Sequence, residues 1–383
     1  MMNEKLFIPL ISLGSLMGPT ITYAQSSVSL YGRLDSGLSF IKTSTGNQYG
    51  AFSGGMFGDR WGFKGKEDLG NGLAAIFQLE NGFSITTGQL RQGGRLFGRQ
   101  AYAGLADKDY GTITLGRQYD PVVDLVQPQT ADITYGASFG TPGDIDNYDN
   151  TVRISNSVKY VSPTYRGFTF EALYGLGGAA GAPGESQSWS GAARFVAGPF
   201  SFAAGYLHSS NANGQPARSA WTSTTSDTFF SSPINNGYQT ASSVGIARAA
   251  AEYVKDKVTV GVSYSNVQAT RDSQSTFASN EHWNVGTAFS SYQLTPAAAV
   301  GLSYTYTHAS GDTSATYHQV NTAATYSFSR RTETYAVAGY QHASGLQRVA
   351  TGGTREAQAS IGSFGIAGSS TQVLAIVGIL HRF

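Results

Sequence analysis

The chain has 383 residues, a formal net charge of +1 and no cysteine, and charged residues make up 13% of it. That fraction is about half of the ~25% found in an average soluble protein. A net charge this close to zero argues against a nucleic-acid partner, because such partners are usually met by strongly basic patches. The lack of cysteine excludes disulfides and thiolate chemistry.

Residues 1–24 are predicted to be a cleavable signal peptide. The stretch 6–17 is mostly apolar, and Thr22 and Ala24 put small residues at the positions that a signal peptidase inspects. The apolar stretch is too short to anchor the chain in a membrane as a helix. A buried N-terminal helix is the alternative. We therefore expect an exported protein with a single domain over residues 25–383.

After this leader, the sequence alternates apolar and polar residues over short stretches. Residues 28–35, 58–66 and 151–160 each place valine, leucine, isoleucine or aromatic side chains on one face and mostly charged or hydroxyl side chains on the other. This period of two indicates strands of a sheet with one apolar and one polar face. No run of 18 or more apolar residues follows the leader, so a transmembrane helix is not predicted. Strands of a membrane barrel remain possible, since they are apolar on one face only.

The connections between these strands alternate in length. Seven short turns are predicted at 68–72, 107–110, 162–167, 197–199, 255–257, 294–296 and 329–331. Eight longer connections are predicted at 42–56, 84–94, 119–150, 178–186, 209–244, 269–280, 309–316 and 343–370. Strict alternation of short turns and long loops is typical of outer-membrane barrels. We predict an all-β fold, a transmembrane antiparallel β-barrel of 16 strands.

The last strand ends on an aromatic residue, Phe383, which shares a face with Val373, Val377 and Ile379. A strand that stops on an aromatic residue suggests that it closes the barrel and acts as the signal for insertion into the outer membrane. The alternative is a core strand that ends there by chance.

One long connection differs from the others. Residues 119–150 show no convincing helical or strand period and contain three prolines but no lysine or arginine. They carry six carboxylates, which are Asp120, Asp124, Asp132, Asp144, Asp146 and Asp149. A connection this long inside a compact domain is either functional or evidence against the assignment of the elements around it. We predict that the barrel closes around this segment and that the segment narrows the hole.

Basic residues fall on the polar faces of the predicted strands. They are Arg33, Arg60, Lys64, Arg99, Arg153 and Lys159. A basic residue on the lipid face would cost about 2–4 kcal/mol near the bilayer midplane, so we expect these residues to line the lumen. Charged rings set ion selectivity in pores. Arginines held on strands favour anions and loop carboxylates favour cations; we favour a weak preference for anions. For the two lysines, an ordinary solvated position in the lumen is an equally good interpretation.

Several motifs point to a known family. They are residues 27–37, 60–70, 75–80, 96–105, 111–119, 153–160 and 381–383. Together they resemble the general porins of beta-proteobacteria, which are trimeric sixteen-stranded channels. The resemblance implies that the third extracellular loop folds into the lumen and faces an arginine cluster, matched here by Arg60, Arg99 and Arg153. Many porins carry Pro-Glu-Phe-Gly in that loop; here residues 137–140 read Ala-Ser-Phe-Gly, without the carboxylate.

The predicted function is passive diffusion of ions and small hydrophilic solutes through a water-filled pore in a Gram-negative outer membrane. The expected partners are the lipid bilayer and its lipopolysaccharide, two further copies of the chain in a homotrimer, and the barrel assembly machinery acting on the C-terminal strand. A substrate-specific channel is the nearest alternative. A receptor or adhesin would act through residues 209–244 and 343–370. A barrel enzyme is a further alternative, but no local motif suggests a catalytic site, and no cofactor or metal is indicated.

Overall fold

The structure is a computed structural model, and it describes residues 27–178, 180–182, 184–212, 221, 228–365 and 367–383. The predicted signal peptide, residues 1–24, lies outside the described residues, and its cleavage stays a prediction. Within the described ranges, no helix has both the length and the apolar character needed to cross a membrane.

Most of the regular structure is extended. The first nine strands are β1 (Ser27–Thr43), β2 (Gly46–Ser53), β3 (Arg60–Gly70), β4 (Leu73–Gly82), β5 (Gln100–Asp107), β6 (Gly111–Gln118), β7 (Ile154–Val161), β8 (Phe168–Gly175) and β9 (Ser188–Ala197). The other nine are β10 (Phe200–Ser210), β11 (Ser243–Lys255), β12 (Val258–Thr270), β13 (Glu281–Thr295), β14 (Ala298–Ser310), β15 (Ser314–Ser327), β16 (Thr332–Arg348), β17 (Thr354–Glu356) and β18 (Thr371–Arg382). The two α-helices among the described residues are α1 (Pro121–Val126) and α2 (Asp132–Tyr135).

These strands form one closed antiparallel sheet. The barrel closes where β1 pairs with β18, from Arg33 opposite Arg382 to Lys42 opposite Val373. On its other side β1 pairs with both β2 and β3, which therefore form a single barrel strand interrupted at 54–59. The short β17 pairs only with the last three residues of β16, so it is not counted as a strand of the barrel wall. The barrel thus has sixteen strands, and this prediction is confirmed.

The seven short turns lie where they were predicted, but two of the predicted long connections are wrong. Residues 42–56 mostly continue β1 into a tight hairpin with β2, in which Thr43 pairs with Gly46. The predicted loop 309–316 shrinks to three residues, because Ser310 already pairs with Ser314. Both stretches are rich in small and polar residues, which are as acceptable in the outer ends of barrel strands as in loops.

The two faces of the sheet differ as predicted. Val262 and Leu302 are more than half exposed on the outside. Gln319, Asn321 and Gln341 are fully buried on the inside. Outside a membrane barrel the solvent is hydrocarbon, so the exposed apolar face is the one that faces lipid.

Residues 119–150 contain the helices α1 and α2, although their sequence shows no convincing helical period. Asp120 caps α1 by accepting hydrogen bonds from the backbone N–H of Val122 at 2.8 Å and Val123 at 3.4 Å. Pro121 occupies the first turn, where its missing N–H costs nothing. Both helices are too short to produce a visible helical period, which explains why sequence periodicity missed them.

The segment is attached to the inner face of the later strands by an apolar cluster. Tyr135 and Phe139 pack, with ring centroids 5.0 Å apart, against side chains of β16 and β18 such as Val337 and Leu374. Gly301 makes room for this contact, since a Cβ there would lie 2.2 Å from the Tyr135 ring. The Tyr135 hydroxyl also lies 2.5 Å from the hydroxyl of Ser291 on β13.

Two further connections fold inward on the same side. Phe230 and Tyr238 pack against Trp283 on the inner face of β13. Residues 357–361 run beside β16, where Gln341 donates to the carbonyl of Ser360 at 3.0 Å. The same carbonyl accepts from the backbone N–H of Gly143 at 3.0 Å. Three connections therefore cover the inner face of β10 to β18.

Candidate functional site

The opposite side of the barrel contains a cavity of about 580 Å³. Five arginines line it, which are Arg33, Arg60, Arg91, Arg99 and Arg153. Three aspartates line it as well, which are Asp59, Asp132 and Asp149. Four of the arginines were candidates from the sequence, and the structure brings all four to one place. We call this set of eight charged residues the arginine cavity.

Arg99 is held by a buried network. Its Nε lies 2.6 Å from Glu80 Oε1, and its Nη2 donates to the Tyr119 hydroxyl at 2.6 Å. Tyr119 in turn donates to Glu80 Oε1 at 3.0 Å. The Tyr119 ring lies 5.7 Å from the Arg99 guanidinium and 5.5 Å from that of Arg153, so one ring spaces two of the cations.

Arg33 and Arg60 are direct cross-strand neighbours. Arg33 of β1 is opposite Arg60 of β3 on one side and Arg382 of β18 on the other. Like charges directly opposite one another destabilise a sheet. Two contacts reduce the repulsion between these cations. Arg33 lies over the Phe57 ring at 4.4 Å, and Arg382 pairs with Glu333 at 2.8 Å. An unfavourable row of cations that is retained in this way suggests a functional position.

The two candidate lysines lie outside the arginine cavity. Lys64 is exposed and lies 5.5 Å from the centre of the Tyr31 ring. Lys159 Nζ forms an ion pair with Asp124 at 2.5 Å and donates to the carbonyl of Tyr119 at 3.2 Å. Lys159 therefore binds the start of the segment 119–150 directly to the barrel wall, and no open space separates the two at this point. A role for either lysine in ion selectivity stays a prediction.

Four of the six candidate aspartates hold the segment together. Asp120 is the cap of α1, and Asp124 pairs with Lys159. Asp144 accepts from the backbone N–H of Asp149 at 2.7 Å. Asp146 accepts from the Thr141 hydroxyl at 2.6 Å and from the Ser265 hydroxyl of β12. Burial raises the pKa of Asp120 to about 6.

The remaining two, Asp132 and Asp149, line the arginine cavity. Burial raises the pKa of Asp132 to about 7, against the opposing effect of hydrogen bonds from Thr130 and Gln127. Burial, followed by the charge of Asp132, raises the pKa of Asp149 to about 7 as well. Both carboxyls are therefore partly protonated near neutral pH, and the cavity is more positive than a count of its side chains indicates.

Sequence reasoning missed Arg91, Glu80 and Arg248. Arg248 on β11 points inward, where its Nη1 donates to the Asn147 carbonyl at 3.3 Å and its guanidinium lies 4.5 Å from the Tyr148 ring. The period of two could have predicted that Arg248 faces inward, since it alternates with Ile246 and Ala250 on the buried face of β11. The other face of this strand carries alanines, which are not apolar enough to identify it as the lipid-facing side.

Phe383 lies at the barrel closure. Its backbone N–H and carbonyl both bond to Gly32 of β1 at 3.1 Å, and its ring covers that glycine, where a Cβ would lie 2.2 Å away. Its role as an insertion signal stays a prediction.

Comparisons with known proteins agree with this architecture. Residues 13–346 match the family model described as Gram-negative porin. An outer membrane porin protein of Bordetella pertussis is 38% identical over 169 residues, which is 39% of this chain and 43% of that protein. Outer membrane porin protein 32 of Delftia acidovorans is 30% identical over 168 residues, which is 42% of this chain and 46% of that protein. The matches thus span less than half the length of these curated relatives.

Solved structures agree in fold over more of the chain. The anion-selective porin from Comamonas acidovorans has a TM-score of 0.71 at 20% identity, covering 94% of this chain and 100% of that one. The trimer form of OmpT from Vibrio cholerae has a TM-score of 0.65 at 17% identity, covering 94% and 99%. The family match and the fold place the protein in the Gram-negative outer membrane. Because the family model matches most of its length, the chain belongs to the Gram-negative porin family.

Proposed function

We propose that the protein is a passive diffusion channel for ions and small hydrophilic solutes, with a preference for anions. The observation that carries this proposal is the arginine cavity, in which five guanidinium groups meet three carboxyls. Arginine stays charged at any physiological pH. The low-dielectric wall of a narrow passage strengthens the potential of such a cluster.

Residues 119–150 form one side of the constriction in this proposal. Tyr119, Gln127, Asp132 and Asp149 from this segment line the cavity together with the arginines of the barrel wall. Conduction requires sites that bind weakly enough for the solute to leave. The arginine cavity contains more arginines than carboxyls, so it attracts anions. The neighbouring carboxyls weaken this attraction, so a bound anion can leave.

The receptor or adhesin alternative would act through residues 209–244 and 343–370 around a plugged or closed lumen. Residues 228–241 and 357–361, which belong to those connections, pack inward against the barrel wall. The cavity of about 580 Å³ that stays open beside the arginines favours a channel whose lumen is narrowed on one side. The family and fold likewise point to a channel rather than to an enzyme, and no enzymatic activity is part of the proposal.

The proposal includes a homotrimer in the lipid bilayer, in contact with lipopolysaccharide. The trimeric state is supported by membership of the porin family and by the trimer form of the OmpT structure from Vibrio cholerae. Assembly through the C-terminal strand is supported by the position of Phe383, whose backbone closes the barrel against Gly32.

Recording from planar bilayers tests the channel. The purified mature protein should give stepwise ohmic conductance, and its reversal potential in a salt gradient should have the sign expected for anions. Folded protein that inserts but passes no current would reject the channel. A current with cation preference would leave the channel in place and reject the role given to the arginine cavity.

A further inference from the structure

The arginine cavity has an apolar side as well as a charged one. Besides its charged residues, it is lined by four large apolar side chains, which are Phe52, Phe57, Ile133 and Phe364. They come from the end of β2, from the interruption 54–59, from α2 and from the connection 343–370. We call these four residues the apolar lining. The anion preference proposed above depends only on charges, so it assigns no role to this lining.

Ile133 is turned toward the cavity because the opposite side of α2 is attached to the barrel wall. Tyr135 is fully buried against that wall, whereas Ile133 is 47% exposed. Residues two apart on a helix are separated by about 200°, so these two side chains point in nearly opposite directions. Apolar surface that stays exposed beside polar groups commonly marks a place where a ligand binds.

The three phenylalanine rings also keep part of their surface open to the cavity. Phe52 and Phe364 pack against each other with ring centroids 5.3 Å apart, and both are half-buried. Phe57 is half-buried as well, and the Arg33 guanidinium lies 4.4 Å from the centre of its ring. Apolar surface and a cation are therefore in direct contact on the wall of the cavity.

Two of the cations beside this surface are open to a solute. Arg33 and Arg60 are cross-strand neighbours, and within the described part of the chain neither forms an ion pair with a carboxylate. Asp35 and Asp59, which flank them in the chain, accept hydrogen bonds from backbone N–H groups instead. The planar guanidinium fork matches the two oxygens of a carboxylate. The pair is therefore a suitable site for a carboxylate that enters from solution.

We propose that the arginine cavity selects, among anions, monocarboxylates that carry an apolar ring. The carboxylate binds to Arg33 and Arg60, and the ring lies against the apolar lining. Charge alone attracts anions of every kind, whereas the lining favours only a solute that has apolar surface to bury. This inference rests on the proposed function, because it names the class of solute for which the same channel has the highest affinity.

Block of the channel current tests the proposal. The purified mature protein is recorded in planar bilayers in potassium chloride, with either cyclohexanecarboxylate or quinate added. Quinate has the same ring and carboxylate but carries hydroxyl groups on the ring. The native channel should bind cyclohexanecarboxylate roughly tenfold more tightly, which is the discrimination typical of a small apolar contact. The difference stays modest, because a permeating solute must also leave.

Variants separate the ring contact from the carboxylate contact. Ile133→Asn removes apolar surface without changing the charge of the cavity, so it should weaken the block by cyclohexanecarboxylate and hardly change the block by quinate. The matched control is Ile85→Asn, at an isoleucine that is 37% exposed and does not line the cavity; it should keep the native difference. Arg33→Gln combined with Arg60→Gln should weaken the block by both anions.

Heat-modifiable migration in a detergent gel shows whether each variant has folded, and Ile133→Thr, which keeps the branched shape, is measured if Ile133→Asn does not fold. Equal block by the two anions in the native channel would overturn the inference and leave the channel and its anion preference in place. An equal loss in Ile85→Asn would also overturn it, as would block that persists without Arg33 and Arg60. A native protein that passes no current, or mainly cations, would reject the proposed function and this inference with it.

Discussion

The two halves of the barrel interior differ in what covers the wall. From β1 to β8 the inner face carries arginines, and an open cavity remains beside them. From β10 to β18 the inner face is mainly apolar or neutral, and three connections pack against it. Burying a charge without a partner is costly, whereas burying an apolar or hydrogen-bonded neutral side chain is not. The half with fewer inward charges is the one that the connections cover, with Arg248 of β11 as an exception that pairs with the Asn147 carbonyl.

Reversing charge in the open half should have the largest effect. Arg60→Glu combined with Arg153→Glu replaces two of the five cations that line the cavity. We expect the reversal potential to move from the anion side to the cation side, because acids then outnumber arginines there. The matched control is Lys64→Glu with Lys66→Glu, which makes the same change of charge on β3 outside the cavity and should shift selectivity much less. An unchanged reversal potential in the first variant would remove both arginines from the constriction.

Detaching the segment 119–150 from the barrel wall should have the next largest effect on the current. Tyr135→Ala with Phe139→Ala removes the aromatic pair that attaches the segment to the wall, and each truncation costs about 3–5 kcal/mol of packing. We expect larger and noisier single-channel currents, since the segment is no longer held. Tyr326→Ala with Phe328→Ala removes a similar pair, 5.3 Å apart, from the outer surface and serves as control. Equal conductance in the two variants would show that the segment does not limit the current.

Acidification should produce a smaller change in the ion selectivity of the arginine cavity. The pKa of Asp132 and that of Asp149 are both raised to about 7, so these carboxyls lose negative charge as the pH falls through that value. Anion preference should therefore increase between about pH 8 and pH 5.5. The variant D132N/D149N should show the higher preference at both values and a smaller pH response, since Asp120 and Asp144, whose pKa values burial raises to about 6 and about 7, remain in the same segment. A native response of the opposite sign would contradict this assignment.

The strand pattern of the sequence predicted most of the architecture and the open half. The alternation of short turns and long loops yielded the correct number of strands, although two loops proved to be tight turns. The period of two placed Arg33 and Arg60 on the inner face, because the side-chain direction in a strand follows from position alone. It fails at the start of β7: Arg153 lies before the strand, and Val152 and Ile154, predicted to face outward, are buried inside the barrel.

The filled half could not be predicted in the same way. Asp146 bonds to Ser265, which is 119 residues away in the chain, and Asp149 bonds to Ser363, 214 residues away. Nothing local in the sequence indicates such partners. The sequence predicts only a long connection over 209–244. The inward packing of its aromatic residues on Trp283 could not be predicted, because that surface of β13 is formed only when the barrel closes.

The smallest expected effect is on stability, at the place where β1 and β18 close the barrel. Asp35 of β1 accepts from the Tyr335 hydroxyl of β16 at 2.5 Å, and from the backbone N–H of Met56 and Phe57. This contact crosses β18 above Gly378, where a Cβ would lie 2.4 Å from the hydroxyl.

Tyr335→Phe removes one donor from the fully buried Asp35 and should destabilise the barrel by about 1–3 kcal/mol. The measurement is the temperature at which the barrel unfolds in detergent, with Tyr340→Phe on the outer face of the same strand as control. Because Met56 and Phe57 still donate to Asp35, the barrel should close and conduct normally below that temperature. An equal shift in both variants would mean that the contact across β18 adds nothing to the closure.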